Sequence, residues 1–259
     1  MRPALLRALT APVLLILATS GQRQPRRESV EAPPTNLPYD GRFTFARLTY
    51  ACYHGCYYYR NEPSWAHGYP DAEVNLLAIM SNVTNMHPRR DGTKVLAIDD
   101  PELFRYPVAY MTEAGYWEIT DKEAVALRKY LLKGGFLILD DTRDGFSPGN
   151  QGFANIEANF KKILPEMRFT DLTIAHPIFH AFFDVPSLDV VRQFYDRGQP
   201  QFKALFAGND PNKRIMVLLN FNTDVSNYWE FSAQGFVPVS ESNEAYELGV
   251  NYLVYALTH

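Results

Sequence analysis

Short apolar runs alternate with amphipathic segments along most of the chain, and this alternation predicts the secondary structure. Three runs, TKVLAI, PVAYM and FLILDD, have the length of buried strands, and each of them ends in or leads into acidic residues. RFTFARLTY predicts an earlier strand, and FKALFAG and RIMVLLNF predict two later ones. The strands are therefore spread over the chain rather than grouped in hairpins.

Helical segments lie between these strands. Asp71 is placed to cap a helix through AEVNLLAIMSNV. Thr120 and Glu123 have capping-box spacing before EAVALRKYLLK, and Gly134 follows where that helix should end. Further helices are predicted over 155–164 and in the C-terminal EAYELGVNYLVYAL. HPIFH predicts only a short helical turn or a loop.

The order of these elements predicts an α/β fold. Strands that alternate with helices form a doubly wound, mostly parallel sheet with helices on both faces. We find no internal repeat, and no linker divides residues 41–259. The sequence therefore predicts a single domain over 41–259.

The N-terminus has the three parts of a secretory signal peptide over residues 1–20. Arg2 and Arg7 are basic, 11–18 is apolar, and Ala18 and Ser20 suit cleavage after Ser20. The apolar run is short for a transmembrane helix, so an uncleaved interfacial anchor is the alternative. Residues 21–40 are polar and proline-rich and predict a flexible leader. We therefore expect an exported protein, periplasmic or extracellular, that meets a membrane only through an uncleaved N-terminal segment.

Composition narrows the class of protein further. The chain has 259 residues and is 46% hydrophobic, which fits a globular protein. Its net charge of −4 lacks the basic excess that is typical of nucleic-acid-binding proteins. Its two cysteines, Cys52 and Cys56, are candidates for a local disulfide in an oxidising compartment. A zinc site built from them and His54 lacks a fourth ligand.

Several segments together resemble one family. They are FARLTY, WAHGYPDAEVNLL, DDPELFRYPVAYM, LRKYLLKGGFLILDD, HPIFH and GVNYLVYALTH. In order and spacing they resemble DUF4159, a bacterial domain of unknown function with a class I glutamine amidotransferase-like, flavodoxin-like fold. The resemblance implies the fold, and it implies a place among envelope proteins, but it implies no settled activity.

The chain departs from active amidotransferases at one position. Such enzymes carry a cysteine nucleophile on a sharp turn from strand to helix, whereas here PVAYM runs into Thr112 and Glu113. We therefore predict that the protein is not a glutaminase. Thr112 is a conceivable nucleophile, but no base is marked near it in the sequence.

Polar residues follow the predicted strands, where open parallel sheets bind their ligands. The candidate ligand rim comprises Asp99, Glu113, Asp140, Asp141 and Arg143, with His176 brought in from a later loop. Cation binding, acid–base chemistry by paired carboxylates and recognition of a sugar or peptide all fit such a rim. The alternative is that these acids only cap helices and form turns.

Two histidine-containing segments are candidates for chemistry. His176 and His180 have the spacing of a helical zinc pair, but Pro177 follows His176 and the glutamate of such motifs is absent. We therefore predict no metal site and no cofactor. Trp65 and His67, just before the first helix, either line the rim or cover the core.

The sequence thus leads to two functional hypotheses. The first is a non-catalytic domain of an exported envelope protein that binds a small ligand or assembles with an envelope partner. The second is a hydrolase, metal-assisted or not, that uses the rim carboxylates with His176.

Overall fold

A seven-stranded sheet forms the centre of the computed structural model, which describes residues 36–52, 58–59, 62–144, 152–192 and 198–259. The strands are β1 (Ala46–Thr49), β2 (Ala51–Cys52), β3 (Tyr58–Tyr59), β4 (Glu62–Pro63), β5 (Lys94–Ala97), β6 (Val108–Thr112), β7 (Trp117–Glu118), β8 (Phe136–Thr142), β9 (Thr170–Asp171), β10 (Gln201–Phe206) and β11 (Ile215–Phe221). The helices are α1 (Asp71–Val83), α2 (Asp121–Leu132), α3 (Gly152–Ile163), α4 (Val225–Phe231) and α5 (Val239–Thr258).

The strand order of the main sheet is β5-β1-β6-β8-β11-β10-β9. The first five strands in this order are parallel to one another, and β10 and β9 add an antiparallel edge. Only residues 207–214 separate β10 from β11, whereas a parallel crossover needs about a dozen residues or more. That short connection explains why β10 runs antiparallel to its neighbour.

Helices cover both faces of the sheet, which confirms the predicted doubly wound α/β class. On one face, α1, α4 and α5 pack over strand residues such as Tyr110 and Ile138. On the other face, α2 and α3 pack over Met111 and Leu139. Successive residues of a strand point to opposite faces, so one apolar run supplies both cores.

The helix ends agree with the sequence patterns in part. Thr120 and Glu123 form the predicted capping box at the start of α2, and Gly134 follows that helix with φ +113°. Helix α1 instead has Pro70 at its N-cap, and Asp71 is its first residue and makes no capping bond there. Helix α4 was not predicted, because its seven residues are too short to show a clear helical period.

The described part of the N-terminal segment lies against the domain. The Asn36 backbone N–H donates to the Thr93 carbonyl at 3.0 Å, and the Tyr39 ring meets Tyr106 edge-on at 5.6 Å. Residues 36–40 therefore belong to the domain rather than to a flexible leader. The predicted signal peptide and the leader up to residue 35 lie outside the described residues. Within the described part of the chain, every helix is too short or too polar to cross a membrane.

Candidate functional site

Two acidic residues meet at the carboxyl edge of the sheet because β6 and β8 are parallel neighbours. Thr112 pairs with Asp140 in register, so Glu113 and Asp141 follow paired positions. Both adopt the left-handed backbone conformation, each with φ +50°. Residues other than glycine rarely take that conformation, and those that do often lie at functional sites.

Glu113 occupies the turn from strand β6 into the short 3-10 helix Ala114–Tyr116. The hydroxyl of Tyr50 donates to the carbonyls of Thr112 and Glu113, at 2.8 and 3.0 Å, and so holds this turn. The Thr112 side chain itself is fully buried. An acid therefore stands at the turn that follows β6, and Thr112 is not exposed to a substrate.

His67 joins these two acids from the segment that precedes α1. Its Nδ1 lies 3.1 Å from Glu113 Oε1 and 3.1 Å from Asp141 Oδ2. The side chains of His67, Glu113 and Asp141 are 21%, 9% and 2% exposed, so only the histidine reaches the surface appreciably. We call these three residues the His67 cluster. Of the two alternatives left open for His67, the structure favours a place on the rim.

A buried ion pair fixes the segment that carries His67. Arg47 in β1 pairs with Glu73 in α1, and both side chains are 1% exposed. Arg47 Nη1 also donates to the carbonyls of Trp65 and His67, at 3.0 and 2.9 Å. Gly68 then turns the chain with φ +71°. Arg47 is therefore a positioning residue for the His67 ring.

Neighbouring carboxylates favour the protonated form of His67. Burial lowers the pKa of His67, but the hydrogen bond to Glu113 and the charges of Asp224, Glu113 and Glu230 outweigh burial and raise it to about 9. The ring is therefore a cation at neutral pH. Arg143 donates to the second oxygen of Asp141, so this carboxylate faces a cation on each side.

Glu113 keeps one unused acceptor in this setting. Its Oε2 is buried, and among the described residues it has no hydrogen-bond partner. A buried carboxylate oxygen without a partner is unfavourable by about 1–3 kcal/mol. This oxygen, on a residue with a left-handed backbone, is an acceptor that remains available to a ligand.

Asp140 belongs to a different arrangement, which we call the Asp140 network. Its carboxylate accepts from Tyr110 Oη at 2.7 Å, Asn220 Nδ2 at 2.9 Å and the backbone N–H groups of Ser226 and Val225 at 2.9 and 3.3 Å. Burial and the charge of Asp224 raise the pKa of Asp140 to about 6, although these hydrogen bonds oppose the rise.

The expectation that Asp140 lines a surface cleft is wrong, because its side chain is fully buried. Strand β8 continues to Thr142, so both acids lie within the strand, and Asp141 differs from Asp140 by its left-handed backbone, with φ +50°. Asp99 is not one of the three clustered donors and instead pairs with the exposed Lys122 at 2.6 Å. Of the predicted rim, the structure brings together Glu113, Asp141 and Arg143.

The expectation that His176 joins this rim is also wrong. Its ring centroid lies 5.6 Å from Phe206 and 5.7 Å from Tyr255. Phe206 pairs with Ile215, the first residue of β11, and Tyr255 packs on Phe136, the first residue of β8. His176 therefore lies at the amino edge of the parallel strands, opposite the His67 cluster. His180 has a partner of its own, Asp184.

Sequence reasoning missed several residues around the site. Asp224 follows β11, so the rule that found Glu113 and Asp141 also applied to it. Arg47 and Glu73 gave no local signal, because one lies in a strand and the other in a helix and only the fold joins them. Cys52 is disulfide-bonded. Its predicted partner, Cys56, lies outside the described residues, so that pairing stays a prediction.

The family can now be identified. The sequence profile of DUF4159, described as a domain of unknown function, matches residues 44–257. The chain belongs to the DUF4159 family. This confirms the resemblance that the segments from FARLTY to GVNYLVYALTH predicted. No curated protein sequence matches the chain.

Proposed function

We propose that this DUF4159 protein is exported to the bacterial envelope and uses its amidotransferase-like domain to bind a small ligand at the His67 cluster. The observation that carries the proposal is the buried carboxylate of Glu113. One of its oxygens faces His67 and the other has no partner among the described residues. A ligand that offers a positive charge or a hydrogen-bond donor would pair with this second oxygen of Glu113.

The surroundings favour a cationic or donor-rich ligand. The carboxylates of Asp224 and Glu230 act on His67 in addition to those of the cluster, and Arg143 is the cation that pairs with Asp141. Partly buried carboxylates attract cations more strongly than exposed ones do, because water screens them less. The limited exposure of the cluster favours a small molecule or ion over a protein partner.

Two observations argue against a glutaminase. The residue at the turn after β6 is Glu113 and not a cysteine. Cys52 is disulfide-bonded and so has no free thiol. A cysteine nucleophile must be a thiolate at the strand-to-helix turn. Binding without glutamine hydrolysis is therefore the function that the site supports best.

Thermal unfolding of the purified full chain tests the proposal with named probes: ethanolamine, L-arginine, glucosamine, ZnCl2 and MnCl2. A ligand that binds only the folded state raises the unfolding midpoint. We expect at least one probe to raise the midpoint of the wild type, to lose most of that effect in Glu113→Gln and to keep it in Asp99→Asn. No shift from any probe would contradict the proposal.

A hydrolase is the second candidate, and the placement of His67 between two carboxylates favours it. Carboxylates that orient a histidine are common in general acid–base catalysis. Turnover of chromogenic ester, phosphate and glycoside substrates tests this candidate. Activity that disappears in His67→Gln but survives in His176→Gln would favour the hydrolase over a binding domain.

Export is tested separately. Because residues 1–20 have the pattern of a signal peptide, the mature protein from its native host should begin at Gly21. Mass spectrometry of the intact protein measures this directly. An N-terminus at Met1 on a cytoplasmic protein would overturn the export proposal and would leave the binding proposal untouched.

A further inference from the structure

We propose that the His67 cluster is a binding site for a first-row divalent transition-metal ion, with one donor atom from each of His67, Glu113 and Asp141. This inference rests on the proposed binding function and names the class of its ligand. One donor atom of each residue lies within 4.8 Å of those of the other two. All three come from separate segments that the fold brings to one edge of the sheet.

The spacing of the donors fits a single ion. Two donor atoms that each lie about 2.1 Å from an ion, at right angles to one another, are about 3 Å apart. His67 Nδ1 lies 3.1 Å from Glu113 Oε1 and 3.1 Å from Asp141 Oδ2. An ion can therefore replace the Nδ1 proton with small movements of the three side chains.

The second oxygen of Glu113 is the independent observation that points to a ligand. Oε2 is buried and has no hydrogen-bond partner among the described residues, on a side chain that is 9% exposed. A purely structural contact between His67 and Glu113 would leave this oxygen unsatisfied. A bound ion satisfies it, either by bidentate coordination or by ordering a coordinated water.

The donor set selects the kind of ion. Magnesium and calcium prefer sites made only of oxygen ligands. An imidazole nitrogen suits Zn2+, whereas carboxylate oxygens suit Mn2+. Three protein ligands leave room for water or a substrate group at the ion. The mixed donor set therefore favours Zn2+ over Mg2+ and Ca2+, with Mn2+ between them.

Neighbouring groups hold the three ligands in place. Arg143 donates to the other oxygen of Asp141, Tyr50 fixes the backbone carbonyl of Glu113 at 3.0 Å, and Arg47 fixes that of His67 at 2.9 Å. Contacts of this kind orient the residues that ligate a metal ion and strengthen its binding. The site is thus built before an ion arrives.

Isothermal titration calorimetry on the untagged full chain tests the inference, with ZnCl2, MnCl2, MgCl2 and CaCl2 as the probes. We expect one Zn2+ or Mn2+ per chain and weaker or no binding of Mg2+ and Ca2+. Glu113→Gln and His67→Gln should each weaken binding by about tenfold or more. Asp99→Asn, a carboxylate at the same edge but outside the cluster, is the matched control and should bind as the wild type does.

Absorption of bound Co2+ gives a second readout that does not depend on affinity alone. The d–d bands of a site with nitrogen and oxygen ligands should change in His67→Gln and remain in Asp99→Asn. Circular dichroism of each variant shows whether it is folded, and Glu113→Gln keeps the side-chain volume if another variant fails to fold.

The outcomes of these measurements separate the metal inference from the proposed binding function. Metal binding that is equal in the wild type, Glu113→Gln and His67→Gln would place the ion elsewhere and overturn the inference. If no metal binds, but ethanolamine, L-arginine or glucosamine stabilises the wild type and not Glu113→Gln, the metal inference fails and the binding function stands. If neither ions nor organic probes bind, both fail.

Discussion

Asp140 and Asp141 are neighbours at the end of one strand, yet they belong to two different polar clusters. Asp140 is fully buried, and four donors fill its carboxylate. Asp141 faces His67 on one side and Arg143 on the other. It also lies beside Glu113, which keeps an oxygen without a partner among the described residues.

The difference separates a structural acid from one in the proposed ligand site. A buried carboxylate with all its acceptors used ties elements together, here β6, β8, β11 and the start of α4, and has no capacity left for a ligand. The His67 cluster combines a strained backbone, a charged histidine and an unused acceptor. Satisfaction of hydrogen bonds, rather than position after a strand, distinguishes the two.

Removal of Asp140 should produce the largest effect on stability. In Asp140→Ala, the donors from Tyr110, Asn220 and Ser226 lose a buried acceptor, and each loss destabilises by about 1–3 kcal/mol. We expect the free energy of unfolding to fall by about 4 kcal/mol, measured by urea denaturation monitored by circular dichroism. A fall below about 1 kcal/mol would show that the Asp140 network is not structural.

The pH dependence of stability should distinguish His67 from other residues. Its pKa is about 9 in the folded protein against an ordinary value of 6.5, so its proton stabilises the fold. That contribution is fully present below pH 6.5 and is lost as the pH rises through 9. The shift corresponds to an upper limit of about 3 kcal/mol. Within the described part of the chain, the charged groups that act on the ring or its partners include Glu113, Asp141, Asp224, Glu230 and Arg143.

Comparison of the wild type with His67→Gln isolates this effect. The difference in unfolding free energy should be largest near pH 6 and should shrink towards its limiting value above pH 9. Asp140 also titrates, with a pKa raised to about 6, but it is present in both proteins. A difference that does not change between pH 6 and 10 would mean that His67 is not held as a cation.

Substitution of Glu113 should have the smallest effect on stability. Glu113→Gln removes a charge that stabilises protonated His67, but it also removes a buried carboxylate with an unsatisfied oxygen. These effects oppose each other, so we expect a change of about 1 kcal/mol or less at pH 7. Urea denaturation measures it beside Asp140→Ala, and a loss as large as that of Asp140→Ala would make Glu113 structural.

The sequence predicted much of the fold because the fold depends on local patterns. The capping box at Thr120 and Glu123, the glycine after α2 and the apolar runs of β6 and β8 all appear where expected. The antiparallel direction of β10 was missed. It follows from the connection between β10 and β11, which is too short for a parallel crossover.

The site could be predicted only in part. Glu113 and Asp141 follow from the rule that ligands bind at the carboxyl ends of parallel strands. The same rule included Asp140, because an apolar run does not tell which of two neighbouring acids has its side chain buried. His67 came from a segment before a helix, and only the tertiary fold brings its ring to these acids. The expectation that His176 joins the rim was wrong for the same reason, since no local pattern tells to which edge of the sheet a loop returns.

The ring protonation of His67, followed by NMR over a pH titration, tests the central claim most directly. The claim is that Glu113 and Asp141 together hold this ring at the carboxyl edge. We expect the His67 resonances of the wild type to titrate near pH 9, and those of Glu113→Gln to titrate at lower pH because one carboxylate has lost its charge. Titration of His67 near 6.5 in both proteins would contradict the account.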